Sequence, residues 1–352
     1  MRVLTPSEPG FWIVLPDGSQ LPYNHPLAIA AAKSTASPAP TPRPPAPVPP
    51  APVPPAPVPP APRPPAPVPP APVPPAPVPP PAAPPAVVTP HPAPAQPPVA
   101  AGSTRMRVLQ WNLHHGVGTD GQYDIDRLAT WMARMTPDII MLNEVEKNTG
   151  WGNEDQPARY KAMVQAKTGR TWYSSFAQEY GSWNSNGKGH LILSTFPIES
   201  VDRVAINYDR VILNAGIVVN GRTVSLLVTH LDPESQTRRL DQARQVINWA
   251  AAHPENRILT GDMNAWPDQS SIAELNKTYA DSWTVATAKG AAYKVSGLAQ
   301  DGATKNGRID YIFASKNAPN LVVLSSQVYD TRDGSGQMPS DHRPVVTTFE
   351  VR

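Results

Sequence analysis

Short apolar runs separated by polar and turn-forming residues dominate the chain from residue 102 to the C-terminus. Most of these runs are too short for helices and are rich in β-branched residues, so they predict strands. The predicted strands are 106–109, 139–142, 191–194, 211–219, 224–228, 258–259, 310–314, 321–325 and 345–351. Strands that can pair as hairpins, with helices between them, predict an α/β (α+β) fold of two packed sheets flanked by helices.

Helical periodicity is clearest in two segments of the same region. The first is 124–135, where one face is formed by Ile125, Leu128, Met132 and Met135. The second is 233–252, where one face is formed by Leu240, Ala243, Val246, Ile247 and Ala250. For the second helix we predict Asp232 as N-cap, Pro233 at the first position and Glu234 in the first turn.

The first 101 residues have a different composition. Residues 37–101 are mostly proline and alanine, and the unit Ala-Pro-Val-Pro-Pro repeats from 46 to 80 with Arg63 as its one substitution. Proline lacks an amide donor and favours polyproline II, so we predict a semi-rigid linker of on the order of 190 Å at about 3.1 Å per residue. A ligand for proline-reading domains is the alternative.

Residues 1–36 contain one predicted β-hairpin, in which 11–15 and 20–23 are joined by a turn at 16–18. A single hairpin is too small to fold alone. We therefore interpret 1–36 as the remnant of a preceding β-domain, in which case Met1 is not the natural start. The predicted domains are 1–36, 37–101 and 102–352.

Charge and cysteine content narrow the classes of function. Of 30 basic and 28 acidic residues, four basic and two acidic ones fall in 1–101, which leaves 26 of each in 102–352. A neutral domain lacks the overall positive charge that drives strong nonspecific nucleic-acid binding. The overall charge does not exclude a local basic groove. The absence of cysteine excludes disulfides, thiolate metal sites and a cysteine nucleophile. No apolar stretch is long enough to span a membrane.

Polar clusters follow the ends of several predicted strands. They occupy 110–112, 143–144, 229–232, 261–264, 308–311 and 340–344. Side chains that follow strand ends can converge at one edge of a sheet. An edge rich in carboxylates, carboxamides and histidines suits a hard divalent cation with proton-transfer groups beside it. The pattern therefore indicates a catalytic site.

In their order along the chain, these six clusters resemble the endonuclease/exonuclease/phosphatase superfamily, and the resemblance covers essentially all of 105–352. It implies a four-layer sandwich of two β-sheets flanked by helices and a divalent-metal-dependent hydrolysis of phosphoesters. Mg²⁺ is the implied ion, with Mn²⁺ or Ca²⁺ as alternatives. The resemblance does not decide whether the site holds one metal ion or two. The implied residues on the metal side are Asn112, Glu144 and Asp341.

The same resemblance assigns the proton-handling groups. Asp262 and Asn264 stand two apart, which aims both at one face of an extended segment, and the implied roles are activation of water and stabilisation of the phosphoryl oxygens. Asp310 is implied to orient His342, whose affinity for a proton a neighbouring carboxylate raises. His230 resembles a second catalytic histidine that protonates the leaving oxygen.

Several other residues are candidates for substrate binding: His114, Lys188, His190, Asp232 and Arg308. His114 stands where some relatives carry an acidic metal ligand, which puts a second metal site in doubt. Arg308 is either a substrate contact or a surface cation, and Asp232 either a helix cap or a part of the site. We interpret Glu146 as structural and His115 as a loop residue.

The sequence does not identify the substrate. A nuclease acting on a phosphodiester is the leading prediction, followed by a phospholipid or sphingomyelin phosphodiesterase whose membrane face would carry Trp151, Trp172 or Trp183. An inositol-phosphate-type phosphatase and a non-catalytic binding module are further alternatives. We expect a monomer. A proline-rich stalk before a hydrolase suits a secreted or surface-associated bacterial protein, although residues 1–33 lack the pattern of a secretory signal; a cytoplasmic location is the alternative.

Overall fold

The computed structural model describes residues 98–181 and 185–352, and the backbone of two short strands near the N-terminus. These two strands, β1 (Trp12–Val14) and β2 (Gln20–Pro22), pair antiparallel and confirm the predicted hairpin. Residues 37–97, nearly all of the predicted linker, lie outside the described residues.

The remaining strands form two sheets. The seven-stranded sheet has the order β12-β14-β15-β3-β4-β6-β5. Its strands are β3 (Thr104–Asn112), β4 (Ile139–Lys147), β5 (Tyr173–Gln178), β6 (Gly187–Ser194), β12 (Ala292–Tyr293), β14 (Leu321–Val328) and β15 (Val345–Val351).

The six-stranded sheet has the order β11-β13-β10-β9-β8-β7. Its strands are β7 (Ile198–Ile206), β8 (Arg210–Val219), β9 (Arg222–His230), β10 (Arg257–Asp262), β11 (Tyr279–Asp281) and β13 (Asp310–Ser315).

Five helices accompany the sheets in the described part of the chain. They are α1 (Ile125–Arg134), α2 (Gln156–Thr168), α3 (Gln236–Ala250), α4 (Ser270–Thr278) and α5 (Ser282–Ala288). None of them is long and apolar enough to cross a membrane.

Alternating side chains of the strands build three apolar layers. In β3, Val108 faces the other sheet, whereas Leu109 packs under α1 and α2. In β10, Ile258 faces the other sheet, whereas Leu259 packs under α3 and α4. Because neighbouring residues of a strand point to opposite faces, each sheet is covered on both sides. The result is the four-layer sandwich that the sequence predicted.

The start of α3 corrects one prediction. The helix begins at Gln236 with Ser235 as its N-cap, not at Pro233 after Asp232. The carboxylate of Asp232 accepts hydrogen bonds from the backbone amides of Glu234 (2.9 Å) and Ser235 (2.8 Å). These bonds close a turn over residues 232–235, and the helix begins only after this turn. These two amides are therefore not free to bind a phosphate.

Two parallel strand pairs fix the edge at which the polar clusters meet. β3 runs parallel to β4, and β9 runs parallel to β10, so each pair ends at the same side of its sheet. Gly261 allows the close approach of β10 to β9, because a Cβ atom there would overlap the carbonyl oxygen of Thr229. A side chain at this position would push the end of β10, with its polar residues, away from β9.

Candidate active site

The predicted polar clusters converge at one edge of the two sheets. Asn112 lies opposite Asn143 in the β3–β4 pair, and His230 lies opposite Asp262 in the β9–β10 pair. The antiparallel pairing of β10 with β13 places Asp310 opposite Asp262 as well. Strand pairing alone therefore assembles most of the site.

Asn143 joins the two sheets from the centre of this edge. Its side-chain oxygen accepts hydrogen bonds from the Gln110 amide (2.6 Å) and from the backbone N–H of Asp262 (2.9 Å). Its amide donates to the carbonyl of Thr229 at 2.9 Å and lies 3.1 Å from Nδ1 of His190. Since Asn143 is fully buried, water cannot replace these partners.

Replacing Asn143 with alanine is expected to lower the free energy of unfolding by about 2–4 kcal/mol, because several buried donors and acceptors lose a partner at once. Urea unfolding followed by circular dichroism measures the change. Asn207→Ala is the matched control, since its exposed side chain makes a single hydrogen bond, to Asp241. Equal losses in the two variants would contradict a special role for Asn143.

His342 is held by a buried carboxylate. Its Nδ1 lies 2.8 Å from Oδ2 of Asp310, and the hydroxyl of Thr304 donates to the same oxygen. The indole of Trp111 donates to the backbone carbonyl of His342 at 2.9 Å. Burial alone would lower the pKa of His342, but the charges of Asp310 and Asp262 outweigh it and raise the pKa to about 9. The imidazole therefore favours its protonated form.

Asp262 lies between two imidazoles. Its Oδ2 is 3.7 Å from Nε2 of His342 and 3.6 Å from Nε2 of His230, and it accepts a hydrogen bond from the Asn112 amide at 3.1 Å. Its Oδ1 accepts from the backbone N–H of Asn264 at 2.8 Å. Burial, together with a neighbouring carboxylate, raises the pKa of Asp262. A basic carboxylate beside two imidazoles can take up a proton.

His230 is buried in surroundings that disfavour its charged form. Its Nδ1 lies 3.2 Å from the guanidinium of Arg210, and its Nε2 lies 3.0 Å from the amide nitrogen of Asn264. Burial and the positive charges of Arg210 and Lys188 lower the pKa of His230 well below its usual value. The ring therefore favours its neutral form, and Asp262, 3.6 Å away, is an acidic group that could supply a proton to it.

Behind His230 lies a buried ionic network whose central residues, Glu179 and Arg210, were not predicted from the sequence. The side chain of Glu179 is 1% exposed, accepts hydrogen bonds from Arg210 at 2.9 and 3.0 Å and lies 3.4 Å from Lys188. His190 lies 3.4 Å from Glu179, and burial lowers the pKa of His190 to about 3. Lys188 and His190 thus lie close to the site but are already engaged with protein groups.

Glu144 lies on a bulge of β4 and has a left-handed backbone (φ 55°). This conformation is costly for a non-glycine residue and is frequent at functional sites. Burial alone would raise the pKa of Glu144, but Lys188, His115 and Asn112 more than offset it and lower the pKa. Glu144 is therefore a charged carboxylate at the opening of the site, where its side chain is 15% exposed.

Asp341 lies at the same opening with one oxygen engaged and one unsatisfied. Its Oδ2 is 2.7 Å from the ammonium group of Lys305, a residue that was not predicted from the sequence. Its Oδ1 is buried and has no hydrogen-bond partner. Nδ1 of His114 is 3.9 Å from that oxygen but 3.0 Å from the carbonyl of Val117. An unsatisfied carboxylate oxygen at this place fits a bound cation.

Two other predicted residues are engaged inside the protein. Arg308 is 8% exposed, and its guanidinium bonds to Asp281 at 2.5 Å. It is therefore not the surface cation that was one of its two predicted alternatives. Asp232 is 5% exposed and bonds to the turn before α3 and, at 3.3 Å, to Arg238.

Two groups of residues could hold a divalent ion. The predicted group is Asn112, Glu144 and Asp341, whose donors are the oxygen ligands that Mg²⁺ prefers. The second group is Asp262, Asp310 and His342, whose ligand atoms lie within 4.8 Å of one another. In the second group the carboxylate of Asp310 already bonds to His342, an arrangement that favours proton handling.

Solved structures show that this architecture recurs. An endonuclease/exonuclease/phosphatase structure from Beutenbergia cavernae is 23% identical with a TM-score of 0.55, and the match covers 70% of this chain and 72% of that one. The mannosyl-6-phosphatase Bt3783 of Bacteroides thetaiotaomicron is 17% identical (TM-score 0.52, coverage 69% and 99%). D. rerio TDP2 complexed with a single-strand DNA product is 19% identical (TM-score 0.52, coverage 70% and 99%). At these identities the likeness concerns the fold.

Sequence comparison identifies the family. No curated protein matches the chain. The sequence model of the endonuclease/exonuclease/phosphatase family matches residues 109–342, which is more than half of the chain and includes every residue of the site described above. Together with the four-layer fold, this match shows that the chain belongs to the endonuclease/exonuclease/phosphatase family.

Proposed function

We propose that this chain hydrolyses a phosphodiester in a divalent-metal-dependent reaction, with a nucleic acid as substrate. Members of its family are hydrolases of phosphoester bonds and generally depend on a divalent metal ion. The observation that carries the proposal is the pair of buried imidazoles, His230 and His342, with Nε2 atoms 3.6 and 3.7 Å from Oδ2 of Asp262. One carboxylate and two imidazoles can serve both the attacking water and the leaving oxygen.

Each group has a role that follows from its surroundings. Asp262 orients the attacking water and accepts its proton, and its carboxylate is held by the backbone amide of Asn264. His342, kept protonated by Asp310, donates to the phosphoryl oxygens. His230 lies 3.6 Å from Asp262, so the proton that Asp262 takes from the water can pass through this imidazole to the leaving oxygen, and the ring ends the reaction neutral.

The residues that would hold the metal ion are Glu144, Asn112 and Asp341, and Mg²⁺ is the expected ion. When bound, the ion stabilises negative charge on the phosphoryl oxygens and orients them. Lys305 holds the carboxylate of Asp341 in place, because its ammonium group contacts one oxygen. The other oxygen has no hydrogen-bond partner and would face the ion.

The charges around the site favour a diester over a monoester. A phosphodiester carries one negative charge, whereas a monoester carries about −1.5 to −2 at neutral pH. Among the described residues, the two lysines nearest the site are both paired, Lys188 with Glu179 at 3.4 Å and Lys305 with Asp341 at 2.7 Å. A dianionic substrate would require cations less fully neutralised than these.

The tryptophans give little support to a membrane substrate. Trp172 is 1% exposed and belongs to the core, so it cannot contact lipid, and Trp183 lies outside the described residues. Trp151 is 44% exposed, but one face of its ring is stacked on His115. The DNA-bound TDP2 of similar fold supports the choice of a nucleic acid, whereas the mannosyl-6-phosphatase keeps a sugar phosphate as the second candidate.

Nicking of supercoiled plasmid by the full chain in Mg²⁺ tests the proposal. We expect nicking that is lost in excess EDTA and lost in His342→Ala. His253→Ala is the matched control, because this histidine contacts Trp249 and Asp202, outside the site. It is expected to retain full activity.

Small substrates distinguish the alternatives in the same experiment. Bis(p-nitrophenyl) phosphate is expected to be cleaved faster than p-nitrophenyl phosphate, because the site suits a single negative charge. Preferential cleavage of the monoester, or of mannose 6-phosphate, would replace the nuclease proposal by a phosphatase. Cleavage confined to sphingomyelin vesicles would replace it by a lipid phosphodiesterase.

A further inference from the structure

His115 contacts two acidic side chains of β4. Its Nε2 lies 3.1 Å from Oε2 of Glu144, and its Nδ1 lies 2.6 Å from Oε1 of Glu146. The two glutamates are two residues apart on the same strand, and the imidazole bridges them. Neither His115 nor Glu146 has a part in the reaction proposed above.

Glu146 is an unusual residue to find in such a place. Its side chain is fully buried, and its second oxygen has no hydrogen-bond partner. A buried carboxylate is costly unless a partner compensates it. The imidazole of His115 compensates the first oxygen with a short hydrogen bond, and the same bond fixes the position of the ring.

Two further contacts restrain the same ring. Its plane stacks on the indole of Trp151, with ring centroids 4.8 Å apart and an interplanar angle of 9°. The amide of Gln156 donates to the carbonyl of His115 at 2.8 Å, while its oxygen accepts from the backbone N–H of Glu146 at 2.9 Å. His115 is thus held through its backbone, its ring face and its Nδ1, which leaves Nε2 directed at Glu144.

We propose that His115 is a positioning residue that fixes the carboxylate of Glu144 for the divalent cation, with Glu146 as its anchor and Trp151 as its support. The inference rests on the proposed function, in which Glu144 is a ligand of that cation. Glu144 lies on a strand bulge, and a free carboxylate there could rotate among several orientations. Partners that orient a metal ligand typically contribute 10–100-fold in affinity or activity.

Calorimetric titration of the full chain with Mg²⁺, without substrate, tests this role. His115→Ala is expected to raise the Kd for Mg²⁺ by about 10–100-fold, and Glu146→Gln is expected to raise it by a smaller factor. Because both act through one bridge, the double variant is expected to bind no more weakly than His115→Ala. A merely structural role would lower the melting temperature and leave the Kd unchanged.

Reference variants keep the outcomes distinct. Glu144→Gln is expected to abolish Mg²⁺ binding, and His253→Ala, which also removes a histidine in contact with a tryptophan and an aspartate, is expected to preserve it. Trp151→Leu is expected to weaken binding mildly, because the ring of His115 loses its stacking partner.

Each result supports or overturns a specific statement. Unchanged Mg²⁺ affinity in His115→Ala, with binding lost in Glu144→Gln, overturns the positioning role and leaves the proposed function intact. Normal binding by Glu144→Gln overturns the metal site of the proposed function, and the inference fails with it. If His115→Ala does not fold, Glu146→Gln decides the question, since unchanged affinity in that variant also overturns the inference.

Discussion

Replacing His342 with alanine is expected to lower kcat for phosphodiester cleavage by about 1,000-fold or more, with a much smaller change in KM. Asp310, whose Oδ2 lies 2.8 Å from Nδ1, raises the pKa of the imidazole and favours its protonated form, and Nε2 of the ring faces Asp262. Loss of such a donor removes stabilisation that is present chiefly when charge develops on the phosphoryl oxygens. Steady-state kinetics on bis(p-nitrophenyl) phosphate and on plasmid measure the effect.

Asp310→Asn is the companion variant. An asparagine keeps the shape and can still contact Nδ1 of His342, but it removes the charge that raises the pKa of the imidazole. We expect a loss of about 100-fold, and no further loss when Asp310→Asn is added to His342→Ala, because the carboxylate acts through the ring. Additive losses in the double variant would contradict this coupling.

Strand pairing explains why the sequence could predict so much of the fold. The pattern of 345–351 coincides with β15 (Val345–Val351), whose inner positions face buried layers on both sides. By contrast, β7 (Ile198–Ile206) is an edge strand with mostly exposed side chains, and it was not predicted. An edge strand of this kind is specified by its partner, here β8, more than by its own alternation of apolar residues.

Helix α2 (Gln156–Thr168) was missed for a related reason. Its buried positions are few and include Gln156, so helical periodicity is weak. Local signals were nonetheless present: Asp155 caps the helix by accepting from the amide of Ala158, Pro157 lies in the first turn, and Gly169 ends the helix with a left-handed backbone. Such capping residues could have identified a helix that the apolar pattern did not.

The residues of the candidate site also differ in whether the sequence could predict them. Residues that directly follow or end an apolar strand, such as Asn112, His230 and Asp262, could be selected from the sequence because strand ends have a fixed direction. Glu179 and Lys305 could not, because each reaches the site through a tertiary contact: Glu179 through Arg210 and Lys305 through Asp341. The two-residue spacing of Glu144 and Glu146 was visible, but their common contact with His115 was not.

Asp262→Asn is expected to lower kcat by about 1,000–10,000-fold, because a carboxamide cannot accept the proton of the attacking water. The change is nearly isosteric, so the hydrogen bond from the amide of Asn264 to Oδ1 can persist and the fold should be retained. Kinetics on plasmid and on bis(p-nitrophenyl) phosphate measure the loss. Activity within tenfold of the unsubstituted chain would contradict a role for Asp262 in proton transfer.

The same variant distinguishes the two groups that could hold the metal ion. If the ion binds at Glu144, Asn112 and Asp341, Asp262→Asn should change the Kd for Mg²⁺ by only a few-fold, since it removes no ligand and only a nearby negative charge. If the ion binds at Asp262, Asp310 and His342, Mg²⁺ binding and activity should be lost together. Calorimetric titration of Asp262→Asn with Mg²⁺, beside Glu144→Gln, decides between the two sites. A loss of turnover with Mg²⁺ binding retained would place the proton-transfer group and the metal site on different residues, as the contact between Asp310 and His342 already favours.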